Sequence, residues 1–198
     1  MVQKEIEMEE ENSEAIMKIM RHRRSVRVYT TEAVSGEDIE KIIEAGANAP
    51  TGDNFKTTRF IVIRDKAMLT KMAESRKMGA RMLKGANAAI VVLGNAGKSD
   101  LWVEDCSIAA AYMHLTADAL GLGSCWIQVR ARDAADGSEL EDYLRQMSGF
   151  PSEIKPLCIL SIGHTDNHPA GHTKDEIAPS RIHSEKWQSD RNEVTMNV

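Results

Sequence analysis

Cysteine is scarce in this sequence, and so are proline, aromatic residues and long apolar runs. Without an apolar run of about 18 residues, no membrane-spanning helix is predicted. The three cysteines, Cys106, Cys125 and Cys158, are odd in number, widely spaced and form no CxxC pair. They are typical of reduced thiols in a cytoplasmic protein. The acidic start of the chain lacks the apolar segment of a secretion signal, which supports the same location.

An excess of positive charge is also missing. The formal net charge is −5, and residues 1–14, with six glutamates and one lysine, account for it, since the rest of the chain is balanced. Nucleic-acid binding needs a wide basic surface, so the sequence disfavours that class of partner. We interpret residues 1–13 as an acidic, mobile arm.

A local cluster of arginines is present nonetheless. The stretch "RHRRSVR" places Arg21, Arg23, Arg24 and Arg27 around Ser25. One interpretation is a solvated helix end, where cations complement the helix dipole. The other is a site for a small anionic ligand, which suits an otherwise neutral body.

The apolar pattern predicts helices more often than strands. Helices are expected at 13–22, from a Ser35–Asp38 capping box to about residue 47, and at 66–84, 104–123 and 138–147. Short strands are expected at 59–63, 88–94, 124–129 and 156–163. The two kinds of element do not alternate strictly, which predicts an α+β fold with a small sheet covered by helices around 104–123.

The domain division follows from where this pattern stops. We assign residues 14–163 to one domain and residues 164–198, which lack apolar periodicity, to a C-terminal extension. Such a segment is either disordered or wrapped on something. Because Ile182 and Trp187 offer anchors, we expect it to wrap a partner.

Several possible sites are weighed against simpler explanations. Four histidines (His164, His168, His172 and His183) cluster in sequence, but Pro169 and two glycines prevent one helix from presenting them, so no metal is predicted. The cysteines are expected to be structural, since Asp105 opposes a thiolate at Cys106.

Two loops allow more than one interpretation. The loop "ALGLGSC" joins a helix to a strand, the reverse of a dinucleotide fingerprint, so Gly121 is interpreted as a helix cap. Gly123 leaves room for a flat ligand to approach the backbone. The turn at 51–54 is either an ordinary loop or the lining of a site for a polar ligand.

Five segments together resemble one family, the nitroreductase-type flavoproteins, over about residues 15–187. They are "RHRRSVRVY", "ANAPTGDNF", "ADALGLGSCWI", "PLCILSIGH" and "HTKDEIAPSRIHSEKW". The resemblance implies an α+β nitroreductase-like fold, an intertwined homodimer, tightly bound FMN, and ping-pong reduction of nitro or quinone acceptors by NADH or NADPH. Alternatives are reductive dehalogenation, flavin breakdown, or a non-catalytic flavin-binding redox module.

The resemblance also implies roles for particular residues. Arg23 and Ser25, with Arg24 beside them, would meet the FMN phosphate and ribityl end, and arginine forks suit a phosphate dianion. Arg27 would place a cation at the pyrimidine edge, where it stabilises negative charge on the reduced flavin. The flavin itself is the reacting group, so no catalytic side chain is predicted.

The remaining implied contacts come from three other segments. The turn residues Pro50, Thr51 and Asn54 would reach the flavin of the partner subunit. The residues along the ring face would be Gly123, Ser124, Cys125 and Trp126, and Lys174 and Arg181 would complete the phosphate site. Many family members continue from the asparagine into Gln-Pro-Trp, whereas this chain has Phe55, Lys56 and Thr57. Because of this departure, the resemblance does not determine the substrate pocket.

Overall fold

The computed structural model describes residues 2–176 and 181–187. Within these ranges the helices are α1 (Val2–His22), α2 (Gly36–Ala47), α3 (Lys66–Glu74), α4 (Trp102–Ala119) and α5 (Leu140–Ser148). The strands are β1 (Thr58–Ile63), β2 (Ala88–Asn95), β3 (Gly123–Gln128) and β4 (Ile154–Gly163). They form one antiparallel sheet in the order β1-β2-β4-β3. The predicted α+β class is confirmed.

The sheet separates two apolar layers. On β2, Ile90 and Val92 pack in the layer that contains α2 and α4, whereas Val91 and Leu93 pack in the layer that contains α3 and α5. Successive strand residues point to opposite faces. Because both faces of β2 are covered, its sequence is a continuous apolar run rather than an alternating one.

Helix α4 lies at the centre of one layer, as its alanines predict. Ala110 and Ala117 are buried against the sheet and α2, and Ala109 is also fully buried. A Cβ added at Gly46 of α2 would lie 2.7 Å from the Met113 sulfur, so small residues permit this close approach. Gly121 follows α4 with φ +74°, which confirms it as the left-handed residue that ends the helix.

Two helices differ from their predicted bounds. Helix α1 begins at Val2, so the boundary predicted at residue 13 falls inside it. Glutamate is a good helix former and is favourable near a helix N-terminus, which explains the longer helix. The helix predicted over 66–84 ends at Glu74, and a 3₁₀ turn follows at Arg81–Lys84 beyond Gly79, whose φ is +88°.

Strand β1 also differs from its prediction as a buried strand. It lies at the edge of the sheet with a single neighbour, so that Ile63 is buried while Val62 is 36% exposed. None of the described helices has the length and apolarity of a membrane span.

The extension after Gly163 is described in part. It runs without helix or strand to a 3₁₀ turn at Lys174–Glu176, and residues 177–180 and 188–198 lie outside the described ranges. Of the two expected anchors, Ile182 is half-buried and Trp187 is 81% exposed. Its wrapping on a partner stays a prediction.

Candidate functional site

The arginine segment, residues 23–27, lies beside strand β3. The Val26 amide donates to the Ser124 carbonyl at 2.9 Å, and Ser25 pairs with Ser124 in a short parallel bridge. A Cβ on Gly123 would lie 2.5 Å from a Val26 methyl carbon. Gly123 therefore admits the chain's own arginine segment, a reason for glycine that the sequence analysis did not foresee.

Several of the predicted site residues come together at this junction. Burial raises the pKa of the Cys125 thiol. This rise is opposed by the charge of Arg27, by a hydrogen bond from Ser25 and by the charge of Arg23. Arg27 is exposed and donates to the Ser25 carbonyl at 3.2 Å. Trp126 is half-buried, with its indole N–H donating to the Gln128 side chain at 2.9 Å.

The cysteines are chemically quiet in this structure. All three are free and buried. Burial raises the pKa of Cys106 to about 12, and Asp105 adds to the rise. Burial also raises the pKa of Cys158 well above its usual value. These shifts agree with the expectation that the thiols are structural.

His114, on α4, is a residue that sequence reasoning missed. Its Nδ1 lies 2.7 Å from the Ser124 hydroxyl, and the side chain is buried. Burial, and then the charge of Arg23, lower its pKa to about 4. A neutral imidazole therefore lies under the junction at neutral pH. Its sequence context, an alanine-rich helix, carries no signal that separates it from an ordinary core residue.

The extension crosses the start of the arginine segment. The His172 amide donates to the Arg21 carbonyl at 2.7 Å, and the Arg24 guanidinium donates to the Ala170 carbonyl. A Cβ on Gly171 would lie 2.9 Å from the Arg21 oxygen, so glycine permits this crossing. The extension is thus fixed against the chain that holds Arg23.

A basic cavity of about 590 Å³ opens beside this crossing. Lys174 and Arg181, both predicted for the phosphate site, line it together with Arg21, to which the sequence analysis gave no role. Met17 and Met20 supply an apolar wall, and Glu176 is the acidic residue of the lining. The cavity suits a ligand with an anionic end and an apolar body.

The polar turn is built on a second overlooked residue, Asp105. The Gly52 amide donates to one Asp105 oxygen at 2.9 Å, and the Thr57 hydroxyl donates to the other at 2.6 Å. Asp105 is 2% exposed and Thr57 is fully buried. Thr57, one of the three residues that depart from the family pattern, therefore anchors the turn.

The turn itself is exposed and conformationally unusual. Asp53, Asn54 and Lys56 have φ values of 49°, 56° and 49°. Pro50, Asn54 and Phe55 are all exposed, while Thr51 is half-buried and accepts the Lys56 amide through its hydroxyl at 3.0 Å. Left-handed residues other than glycine are uncommon and concentrate at functional sites.

The arginine segment and the turn lie at opposite ends of α4. The turn is bound to Asp105, whereas His22, next to Arg23, contacts Asp118 with its Nδ1 2.9 Å from the carboxylate. Thirteen residues of helix separate these attachment points, which is about 20 Å at ~1.5 Å per residue. The sheet agrees, because β1 and β3 are its two edges. Within one chain, the two parts of the predicted site are therefore attached at separate points of α4.

The fold is that of known flavin-dependent reductases. The "FMN-dependent Nitroreductase" of Clostridium difficile R20291 superposes with a TM-score of 0.83 at 38% identity, over 85% of this chain and 98% of that one. A Desulfovibrio desulfuricans protein, described as a "putative nitroreductase in complex with fmn", gives a TM-score of 0.70 at 25% identity, over 87% of this chain and 98% of that one.

Sequence comparison identifies the family. The model of the nitroreductase family matches residues 20–79 and 72–164, so this chain belongs to the nitroreductase family. A relative from Archaeoglobus fulgidus, named "Putative NADH dehydrogenase/NAD(P)H nitroreductase", is 40% identical over 88% of this chain and 99% of its own length. The "FMN reductase [NAD(P)H]" of Bacillus subtilis is 24% identical over 92% of this chain and 78% of its own length.

Proposed function

We propose that this protein is an FMN-dependent oxidoreductase that uses NADH or NADPH to reduce nitroaromatic, quinone or similar acceptors by a ping-pong mechanism. The observation that carries the proposal is the junction of the arginine segment with β3. The names of the relatives support the same cofactor and reductant. FMN, when bound, would supply the hydride-transfer chemistry, and the residues of this junction would hold and orient it.

The residues at the junction fit the two ends of FMN. Arg23 and Ser25 offer a charged fork and a hydroxyl to the phosphate end, and a dianion is bound best by such charge-assisted donors. The Ser124 carbonyl and the Val26 amide hold this segment in place. The extension holds Arg24, and Lys174 and Arg181 line the neighbouring basic cavity.

The ring end is assigned to Gly123–Trp126 and Arg27. Gly123, Ser124 and Cys125 are buried, with Val26 packed on Gly123, so half-buried Trp126 is the residue of this strand that offers surface to a flat ring. Arg27 is exposed beside it, and its fixed cation stabilises negative charge that develops on the ring. Neutral His114 supports the Ser124 hydroxyl from below without adding a second positive charge.

We further propose that the complete site forms between two copies of the chain. Within one chain, the turn that holds Pro50, Thr51 and Asn54 is attached to Asp105, about 20 Å along α4 (at ~1.5 Å per residue) from Asp118, which His22 contacts, so a partner's turn would supply these residues. Each chain also exposes apolar side chains on α4 (Ile108 and Tyr112) and on α1 (Ile16 and Met20). A two-fold interface would bury the same surface on both copies.

Anaerobic half-reactions test the enzymatic function. Purified protein is expected to be yellow, to bleach when NADH or NADPH is added, and to recover its colour when a nitroaromatic or a quinone follows. A ping-pong mechanism gives parallel lines in double-reciprocal plots of rate against each substrate.

Other outcomes of the same experiment would replace the proposal. Binding of FMN without steady turnover would identify a non-catalytic redox module. Recovery of colour only with a halogenated acceptor would identify reductive dehalogenation. Loss of the flavin during the cycle would identify flavin breakdown.

A further inference from the structure

Three side chains from distant parts of the chain meet at the C-terminal end of α4. His22 is the last residue of α1, Asp118 lies in the last turn of α4, and His168 belongs to the extension. Their nitrogen and oxygen atoms all lie within 4.8 Å of one another. The His22 Nδ1 is 2.9 Å from one Asp118 oxygen, and the His168 Nε2 is 3.4 Å from the other. We call these residues the His22–Asp118–His168 cluster.

The proton on the His168 ring is fixed by its backbone neighbour. Its Nδ1 lies 2.8 Å from the Pro169 carbonyl oxygen, which only accepts hydrogen bonds, so Nδ1 carries the proton. The Nε2 of the neutral ring then points a lone pair at the Asp118 carboxylate. This Nε2 is buried and has no hydrogen-bond partner among the described residues. A lone pair that faces a carboxylate oxygen calls for a cation between them.

The arrangement around His168 is the one that metal-binding histidines use. Such a histidine donates its second ring N–H to a carbonyl or carboxylate, which fixes the tautomer and orients the lone pair toward the metal. The Pro169 carbonyl fills that role here. Two imidazole nitrogens and one carboxylate oxygen form a donor set that suits zinc and related divalent ions.

We propose that the His22–Asp118–His168 cluster binds a divalent transition-metal ion of the zinc class. The ligands are the His22 Nδ1, the His168 Nε2 and one Asp118 oxygen, each expected at about 2.0–2.2 Å from the ion. In the metal-free chain, His22 donates a hydrogen to Asp118, and the ion takes the place of that hydrogen. The His22 proton then moves to Nε2, which is free to face solvent because the side chain is 56% exposed.

The neighbouring space provides room for the remaining ligand. A cavity of about 350 Å³ is lined by His22, Asp118, Lys18, Ala15 and Ile19. Water in this cavity would complete the coordination sphere, as an open fourth position does in other three-ligand zinc sites. The positive charge of Lys18, in the lining, disfavours a cation. The Asp118 carboxylate, whose side chain is only 5% exposed, favours a cation from closer range.

A metal here would fasten the extension across the arginine segment. The cluster joins α1, α4 and the extension immediately beside the Arg21–His172 and Arg24–Ala170 hydrogen bonds. The proposal does not depend on the flavin chemistry, because none of the three ligands is assigned to the cofactor.

Isothermal titration with Zn²⁺ tests the site on the full-length protein as purified, after treatment with a chelator and dialysis. One ion per chain is expected, and we expect His168→Gln and Asp118→Asn each to weaken zinc binding by at least about tenfold. Because a metal that binds the folded state stabilises it, Zn²⁺ should also raise the melting temperature of the parent protein but not of these variants.

The matched control is His164→Gln, which changes a histidine of the same extension outside the cluster. It should bind zinc like the parent. Equal affinity in the parent and in His168→Gln, or an equal loss in His164→Gln, would overturn the site. If zinc does not bind, and NMR of the histidines detects a proton shared between His168 and Asp118, then a proton and not a metal ion occupies the cluster. If Asp118→Asn does not fold, His168→Gln decides the question.

Discussion

At the scale of single residues, two arginines at the junction with β3 have different surroundings. Arg23 lies near buried His114, whereas Arg27 is exposed at the other end of the segment. The two arginines are therefore suited to different tasks, one in binding an anion and one in stabilising charge that appears during a reaction. Two substitutions separate these tasks.

Replacing Arg23 is expected to weaken binding of the FMN phosphate and to leave binding of the rest of the flavin almost unchanged. Arg23→Ala should weaken FMN binding by about 2–3 kcal/mol through the loss of a charge-assisted pair. Riboflavin, which lacks the phosphate, should bind almost equally to the parent and the variant. Titration of flavin fluorescence measures both affinities, and equal losses for the two flavins would refute the phosphate assignment.

Replacing Arg27 is expected to change the reduction potential of bound FMN more than the affinity of the protein for FMN. Arg27→Gln removes a cation that meets a full negative charge only when the flavin is reduced, so it should lower the two-electron potential. A loss of about 1–2 kcal/mol corresponds to roughly 20–45 mV. Dye-equilibrated titration measures the potential, with the exposed Arg132→Gln as control. An unchanged potential in a variant that holds FMN would reject the role.

His114 makes stability depend on pH. An unfolded histidine titrates near 6.5, whereas folded His114 has a pKa of about 4. The unfolded chain therefore binds more protons between these values, and His114 lowers the free energy of unfolding as the pH falls from 6.5 toward 4, by up to about 3 kcal/mol. In His114→Gln this contribution is absent. Urea unfolding at several pH values measures the difference, and parallel pH profiles for parent and variant would contradict it.

At the scale of elements, α4 connects the two parts of the proposed site. Its first turn carries Asp105, which holds the turn, and its last turn carries Asp118, which contacts His22. Left-handed residues in the turn cost of order 1–3 kcal/mol each, and hydrogen bonds to a charged acceptor offset that cost. The shape of the turn thus depends on a helix that follows it by about fifty residues.

Removing the Asp105 carboxylate should release the turn. Asp105→Ala leaves the Gly52 amide and the Thr57 hydroxyl without their acceptor, so the free energy of unfolding should fall by about 2–4 kcal/mol. Urea unfolding measures this, with exposed Glu104→Ala on the same helix as the control. A loss no larger than that of Glu104→Ala would show that the turn holds its conformation without the carboxylate.

Local signals explain which elements were predictable. The Ser35 hydroxyl accepts from the Asp38 amide at 3.0 Å, and Gly121 ends α4, both as short sequence patterns indicate. Asp105, His114 and the contact of His22 with His168 were not predictable, because each depends on partners between 10 and 146 residues away. A single sequence contains no pattern that pairs residues at such distances.

At the scale of the whole molecule, the proposed dimer would hold two sites, each drawn from both chains. Variants altered in different parts can then rescue one another. Chains with Arg23→Ala keep a normal turn, and chains with Asp105→Ala keep a normal arginine segment. A mixed dimer of these chains would contain one intact site.

Mixing is expected to restore activity to a definite level. Equal amounts of the two chains, unfolded and refolded together, form about half mixed dimers, so NADH-dependent quinone reduction should return to about a quarter of the parent rate. Each variant refolded alone is the control. If a single chain carried a complete site, mixing would restore nothing, and a monomer fully loaded with FMN in solution scattering would likewise contradict the shared site.

The crossing of the extension over Arg21 also bears on biosynthesis. Ala170 and His172, which bind Arg24 and Arg21, leave the ribosome after all the described helices and strands have been made. A nascent chain thus exposes its arginines to polyanions such as ribosomal RNA throughout translation. Only when residues 170–172 emerge can Arg21 and Arg24 form these hydrogen bonds, so products truncated before them would leave this part of the chain uncovered.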